Sequence, residues 1–222
     1  MLTIYGHPLS SYTQKVLVAL YETGAPFTFH QIDLGQEEDR ALMAGIEPMG
    51  LMPGLKDHAR GVILSQSSVM IEYVDRHYPG KVRMLPADPD AALSARQWDR
   101  FFDFQVMQVM QTIVSARLFM GEGVEEPVGR FVRDRLERAY VALDHHLKGR
   151  EWAAGDFGLA DCAAAPALFY AGMIHPFAGH PALAAYFERL LARPSFQRAR
   201  TEALPWLQYF PFPELVPQRF RA

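Results

Sequence analysis

Apolar and polar positions keep one rhythm in the first third of the chain and another after it. Residues 2–5 (LTIY) read as a short strand, closed by Gly6-His7-Pro8. Residues 15–22 carry Val16, Leu17, Ala19 and Leu20 at helical spacing and stop at Gly24 and Pro26. Alternation with period two returns in residues 27–32 (FTFHQI), whose aromatic and β-branched content predicts a second strand. Residues 36–45 predict a weaker helix, entered through Gln36-Glu37-Glu38-Asp39, acidic groups that suit the positive end of a helix dipole. Two short runs, Pro53-Gly54-Leu55 and Gly61-Val62-Ile63-Leu64, flank a turn-like Lys56-Asp57-His58-Ala59-Arg60. A last helix over residues 67–77 carries Val69, Met70, Tyr73 and Val74. The order βαβ, α, ββα predicts a small mixed sheet with helices on its faces over residues 1–78.

Residues 79–89 hold three prolines and a glycine and predict a linker. In residues 90–222 nothing reads as a strand. Residues 90–118 predict one long helix crowded with Trp98, Phe101, Phe102, Phe104, Met107 and Met110, interrupted by residues 121–127. Residues 128–147 form an amphipathic helix on Phe131, Leu136, Tyr140 and Leu143, and residues 182–191 and 195–202 add two more. Residues 162–187 contain no Asp, Glu, Lys or Arg, long enough to span a bilayer. Pro166, Gly172, Pro176, Gly179 and Pro181 break the stretch, and it reads as a buried helix, a turn and the start of another. The tail, residues 205–220, has too many prolines for a helix and too many aromatics to stay in water, so it is expected to pack over the helical half.

With 222 residues, half apolar and 21% charged, the chain is long enough for a sizeable core and is neither disordered nor fibrous. A net charge of −3 leaves no basic footprint for nucleic acid or an anionic membrane. One cysteine, Cys162, excludes an intrachain disulfide and a Cys-rich metal site, and in an apolar helix it reads as a small buried hydrophobe. His145-His146 lacks carboxylate or cysteine company at ligand spacing, so no metal is expected. The opening MLTIYGHPLS has neither a basic nor an apolar leader region, so no signal peptide is expected and a cytoplasmic location is the default.

Four segments carry a family resemblance, three of them bearing on chemistry and the fourth on the fold. Tyr5-Gly6-His7-Pro8-Leu9-Ser10-Ser11-Tyr12-Thr13-Gln14-Lys15-Val16 resembles the first strand, loop and helix start of the serine-type glutathione transferases. Glu47-Pro48-Met49-Gly50-Leu51-Met52-Pro53 resembles their Asn-Pro-x-Gly-Lys-Val-Pro segment. Leu64-Ser65-Gln66-Ser67-Ser68-Val69 is similar to their Leu-x-Glu/Gln-Ser-x-Ala-Ile, and Gly155-Asp156-Phe157-Gly158-Leu159-Ala160-Asp161 to their Ser/Thr-Leu-Ala-Asp segment. The resemblance covers nearly the whole chain. It implies a thioredoxin-like N-terminal domain followed by an all-helical domain, assembled as a homodimer. It also implies glutathione as co-substrate and a small hydrophobic electrophile as its partner.

By the resemblance, a hydroxyl at the start of the first helix donates to the glutathione sulfur. The chemical need is a thiolate, because a free thiol titrates near 8.5 and only the thiolate is nucleophilic. Ser10 and Ser11 compete for this role. Ser11-x-x-Gln14 has capping-box spacing, which would occupy Ser11 and leave Ser10, the residue that also aligns with the family's serine. Tyr12 and Tyr5 stand close enough in sequence to remain alternatives. The resemblance further implies a cis Pro53, with the Met52 backbone pairing with the cysteinyl unit and Gln66 and Ser67 taking the γ-glutamyl end. Two residues depart from the pattern: Leu51 stands where the family often has the lysine that holds the glycine carboxylate, and Glu47 replaces asparagine. Arg40, Gln36 or His30 are the candidate substitutes for that lysine. The stripe Phe101, Phe104, Met107 and Met110 reads first as core, and the resemblance offers Phe104 and Met107 as lining of the electrophile pocket. Asp99 and Asp103 read first as solvated charges, with reach to the glutathione of a partner subunit as the alternative that the resemblance offers. Asp161 is expected to cap a helix, with half of the reciprocal pair missing because Gly158 replaces the hydroxyl residue. Glutathione-dependent isomerisation and a non-catalytic adaptor role remain the competing functions.

Overall fold

The computed structural model describes residues 1–221. Strands β1 (Leu2–Gly6), β2 (Phe27–Gln31), β3 (Gly54–Asp57) and β4 (Val62–Leu64) form one sheet in the order β2-β1-β3-β4. β1 runs parallel to β2 and antiparallel to β3, and β3 antiparallel to β4. The C-terminal ends of β1, β2 and β4 and the N-terminal end of β3 therefore share one end of the sheet. Helices α1 (Ser11–Thr23), α2 (Glu37–Ile46) and α3 (Ser67–His77) complete this half, which is thioredoxin-like. α1 and α3 pack on one another through Val16, Leu17, Leu20, Met70, Ile71 and Val74, all buried, over Leu2, Ile4 and Leu55 of the sheet. α2 is shallower and buries only Met43.

The remaining helices are α4 (Pro89–Phe101), α5 (Gln108–Phe119), α6 (Glu125–Leu147), α7 (Leu159–Ile174), α8 (Pro181–Ala192) and α9 (Pro194–Ala203). α7 takes in the first half of the charge-free stretch, Cys162 to Ile174, behind Asp161 in its first turn, and nearly every residue of it is buried. It packs on α1, α4, α5 and α8, so the protein's most apolar helix sits where both halves meet. Among the described residues no helix is long and apolar enough to cross a membrane. The tail winds through short 3-10 turns and buries Leu207, Phe210, Phe212, Val216 and Phe220, as its composition predicts.

Two expectations are corrected. The helix predicted over residues 90–118 is not uniform: Phe102–Met107 form a π-helical segment between α4 and α5, with the Gln108 N–H donating to the Asp103 carbonyl five residues back. Apolar residues recur throughout this stretch, so the sequence does not mark where the insertion falls. Asp99 and Asp103 are not solvated; both are buried, for a reason given below.

The Gly158 departure has a physical cause. Asp161 accepts the Gly158 N–H at 3.0 Å, the acidic half of the capping pair, and also the Ala153 N–H and the Tyr186 hydroxyl. A Cβ on Gly158 would lie 2.7 Å from the Met84 carbonyl oxygen, which itself accepts the Leu159 N–H at 2.8 Å. The close approach of the segment before α4 excludes the hydroxyl residue. Cys162 lies fully buried beside the sulfur of Met84, and burial pushes its thiol up.

Candidate active site

The shared end of the sheet opens into a cleft of about 810 Å³ between the two halves, within the usual range for small-molecule sites. Across the sheet order, the loop after β2 lies at one edge, the start of α1 and the entry to β3 in the middle, and the start of α3 at the other edge. The helical half closes the cleft with the π segment, α5, Tyr170 and Phe210.

Ser10 is the N-cap of α1, in extended conformation, and its Oγ accepts the Thr13 N–H at 3.3 Å. Accepting that bond leaves the hydroxyl hydrogen free to donate into the cleft, at a helix end whose dipole favours negative charge. The predicted Ser11–Gln14 box does not form. Ser11 is the first residue of α1 and also lines the cleft, while the buried Gln14 amide donates to the Pro8 carbonyl and the Tyr170 hydroxyl, both at 2.9 Å. Tyr170 in turn donates to the Leu9 carbonyl at 2.7 Å. Tyr170 thus braces the loop that carries Ser10 from 160 residues away, and a tyrosine inside an apolar helix gives no local sign of that role. Tyr12 lines the cleft, but burial first and the charge of Asp103 second push its phenol well above the ordinary range, so it stays protonated. Tyr5 does not line the cleft; it lies on β1 against the ring of His30, 5.3 Å between centroids.

The Met52–Pro53 peptide is cis, and both residues line the middle of the cleft. The loop before it is held by Glu47, whose Oε2 accepts the Met49 N–H at 2.8 Å and the Leu51 N–H at 2.9 Å. Glutamate therefore organises this loop with two backbone bonds. Leu51 is 62% exposed, and none of Arg40, Gln36 and His30 lines the cleft. At the opposite edge, Gln66 precedes α3 with φ 72°, the one positive value among the described non-glycine residues. Strained backbone of this kind concentrates at functional sites. Ser67, buried, begins α3 and presents a helix N-terminus to the cleft.

Phe104 and Met107, both on the π segment, line the cleft together with Met110, whereas Phe101 packs instead on Trp98. The same segment carries Asp103 into a buried ion cluster that sequence reasoning missed. Lys15, 1% exposed, stands 2.6 Å from Asp99 Oδ1 and 2.7 Å from Asp103 Oδ2, and donates to Ser68 Oγ at 2.8 Å. Arg100 closes the cluster on both aspartates and on Ser68. The cluster ties α1, the start of α3 and the π segment together beneath the cleft. Burial raises the Asp103 carboxyl, and the Lys15 charge opposes the rise. His7, beside Trp206 of the tail, accepts the Leu9 N–H through Nδ1 at 3.2 Å, and burial lowers its pKa against a smaller opposing pull from Asp33. Among the described residues no group of three His, Cys, Asp or Glu side chains is placed to hold a metal.

Two family models match this chain: the glutathione S-transferase N-terminal domain over residues 4–82 and the glutathione S-transferase C-terminal domain over residues 106–194. Glutathione S-transferase 3 of Zea mays is 30% identical over 89% of this chain and 92% of its own length. The stringent starvation protein A homolog of Coxiella burnetii is 24% identical over 91% of this chain and 93% of its own. A solved glutathione S-transferase from Methylobacillus flagellatus, with GSH bound, superposes with a TM-score of 0.80 at 25% identity, covering 90% of this chain and 98% of that one. With both halves matched by the family's domains and a relative aligned along nearly its full length, the chain belongs to the glutathione S-transferase superfamily.

Proposed function

We propose that this protein is a glutathione transferase that activates the glutathione thiol for attack on a hydrophobic electrophile. The observation that carries the reading is the convergence of a cap hydroxyl with a free hydrogen, a cis-proline-presented backbone and an unpaired helix start on one cleft. In this reading the Met52 backbone pairs with the cysteinyl unit as an added strand. Gln66, Ser67 and the amides opening α3 hold the γ-glutamyl carboxylate, favoured by the helix dipole. Pro53 keeps the Met52 edge turned toward the cleft. The Ser10 hydroxyl donates to the sulfur, which stabilises the thiolate, with Ser11 the alternative donor; the thiolate then attacks an electrophile held over Phe104 and Met107. The working form is a cytoplasmic homodimer with a detoxifying role. Val69 on α3 and Leu93 on α4, exposed apolar residues one turn from the Glu72–Arg96 ion pair that joins these helices, support a partner surface there.

A hydrogen bond to a charged group contributes about 1.5–3 kcal/mol, which is roughly ten- to hundredfold in rate. Ser10→Ala is therefore expected to slow conjugation of glutathione to an activated aryl halide by at least tenfold, with glutathione affinity retained. Unchanged turnover would move the donor role to Ser11. Stoichiometric loss of glutathione distinguishes transfer from an isomerase, which regenerates it. A non-catalytic reading is favoured by one feature, Leu51 in place of a cation, and absence of glutathione binding would establish it.

A further inference from the structure

The sheet order gives the cleft a direction. Ser67 follows β4 at one edge, Met52 and Ser10 stand in the middle, and the loop Ile32–Gly35 follows β2 at the other edge. A γ-glutamylcysteinyl peptide with its α-carboxylate on α3 and its cysteine beside Met52 must project its third residue toward the β2 edge. The side chains that line the cleft there are Asp33, Leu34, Glu47 and Leu51: two carboxylates and two apolar groups. Asp33 is fixed with its Oδ1 accepting the Gly35 N–H at 2.8 Å, and Glu47 by the two amides it organises.

The cations nearby are committed elsewhere. Among the described residues the cleft is lined by one guanidinium, that of Arg100, and it lies at the α3 edge on Asp99, Asp103 and Ser68. Arg40 does not line the cleft; its guanidinium donates to the Leu34 carbonyl at 2.7 Å. His7 faces the cleft, with Nδ1 occupied by the Leu9 amide and burial favouring its neutral form. A free glycine carboxylate at this end meets like charge and apolar surface, with no counter-ion.

We propose that the thiol peptide this cleft selects carries no negative charge on its third residue: a γ-glutamylcysteinyl-glycine closed as an amide or extended by an amine, in preference to free glutathione. The proposal rests on the glutathione reading above and narrows it to a substrate class, with Asp33, Glu47 and Leu51 as the residues that set the preference.

The test is competitive calorimetry at low ionic strength, where exposed charges are least screened, with glutathione, its glycine amide and its aminopropyl amide. The expected result is amide binding at least threefold tighter than glutathione and the amine conjugate tighter still. The ratio should shrink in Asp33→Asn, whose side-chain oxygen can still accept the Gly35 amide, and invert in Leu51→Lys, a change at an exposed position. Glutathione binding as tightly as its amide, or tighter, overturns the proposal, and loss of that preference in Arg40→Gln would identify Arg40 as the missing counter-ion. If none of the three peptides binds, the glutathione reading itself falls and this one with it.

Discussion

Lys15 is the side chain whose loss the fold should feel most sharply. Its ammonium has three hydrogens and three partners within 2.8 Å: Asp99, Asp103 and Ser68. The side chains of Lys15 and Asp99 are each 1% exposed and that of Asp103 is 8%. In Lys15→Met the apolar stem is conserved and the charge is removed, which leaves two buried carboxylates with Arg100 alone. Removing one partner of a buried pair costs about 3–5 kcal/mol. At a urea slope near 3 kcal/mol/M, the upper end for small proteins, the unfolding midpoint falls by about 1–1.7 M. The sign of the pH dependence follows from Asp103. Burial already raises its pKa, Lys15 opposes that rise, and the variant removes the opposition. Asp103 then takes up a proton on folding, so the deficit should be smaller at pH 5 than at pH 8. Lys15→Met combined with Asp103→Asn should recover part of the loss, a coupling of about 0.5–3 kcal/mol. Far-UV circular dichroism through a urea series measures all of this. A midpoint within about 0.3 M of wild type, or a deficit that grows on acidification, would refute the reasoning.

Two further substitutions probe packing and charge away from the cleft. Gly158→Ser restores the family's capping hydroxyl yet is expected to destabilise by about 1–3 kcal/mol, because its Cβ meets the Met84 carbonyl at 2.7 Å; a thermal melt at or above wild type would show that the hydroxyl outweighs the crowding. Asp57 lies fully buried at the start of the β3–β4 turn, and although burial alone would raise its pKa, the hydroxyls of Tyr78 and Tyr73, the Arg60 guanidinium and the Ala59 N–H together hold it below its ordinary value of 3.8. Its contribution is therefore present above pH 3.8 and lost as pH falls toward the lowered value, so the stability gap between wild type and Asp57→Asn should narrow below pH 4, and a gap constant down to pH 2.5 would count against the assignment.

The sequence was readable where function and local structure use the same residues. A strand that ends in Gly6-His7-Pro8, a Met-Pro dipeptide and a Gln-Ser helix start are contiguous signals, and the structure brings His7, Met52, Pro53, Gln66 and Ser67 to one cleft. It was misleading where one side chain has two plausible partners. Ser11 and Gln14 have the spacing of a cap pair, but Gln14 is drawn to Pro8 and Tyr170, and Ser10 becomes the cap. It was silent where the partner is remote. Nothing near Lys15 announces aspartates 84 and 88 residues later, and a charged helix surface reads as solvated until a second charged surface is laid on it. Phe104 and Met107 fall between these cases: their spacing is that of core residues, yet both lie on the π segment and line the cleft.

That ladder also bears on how the cleft can change its preferences. A six-residue stretch with five-residue hydrogen bonds accommodates one residue more than the α-helix would, and one residue is about 100° of helical rotation. The helix from Pro89 to Phe119 is thus two pieces set at different angular phases. One piece holds Asp99 and Arg100 against Lys15 and Ser68 of the N-terminal half, and the other turns Met110 and Val114 to the cleft. A single-codon deletion within residues 104–107 would re-index the side chains of α5 while leaving Lys15, Asp99, Arg100 and Asp103, all upstream of it, in register. Under the proposed function, this gives a route to a different acceptor pocket that leaves Ser10, Met52, Gln66 and Ser67 untouched.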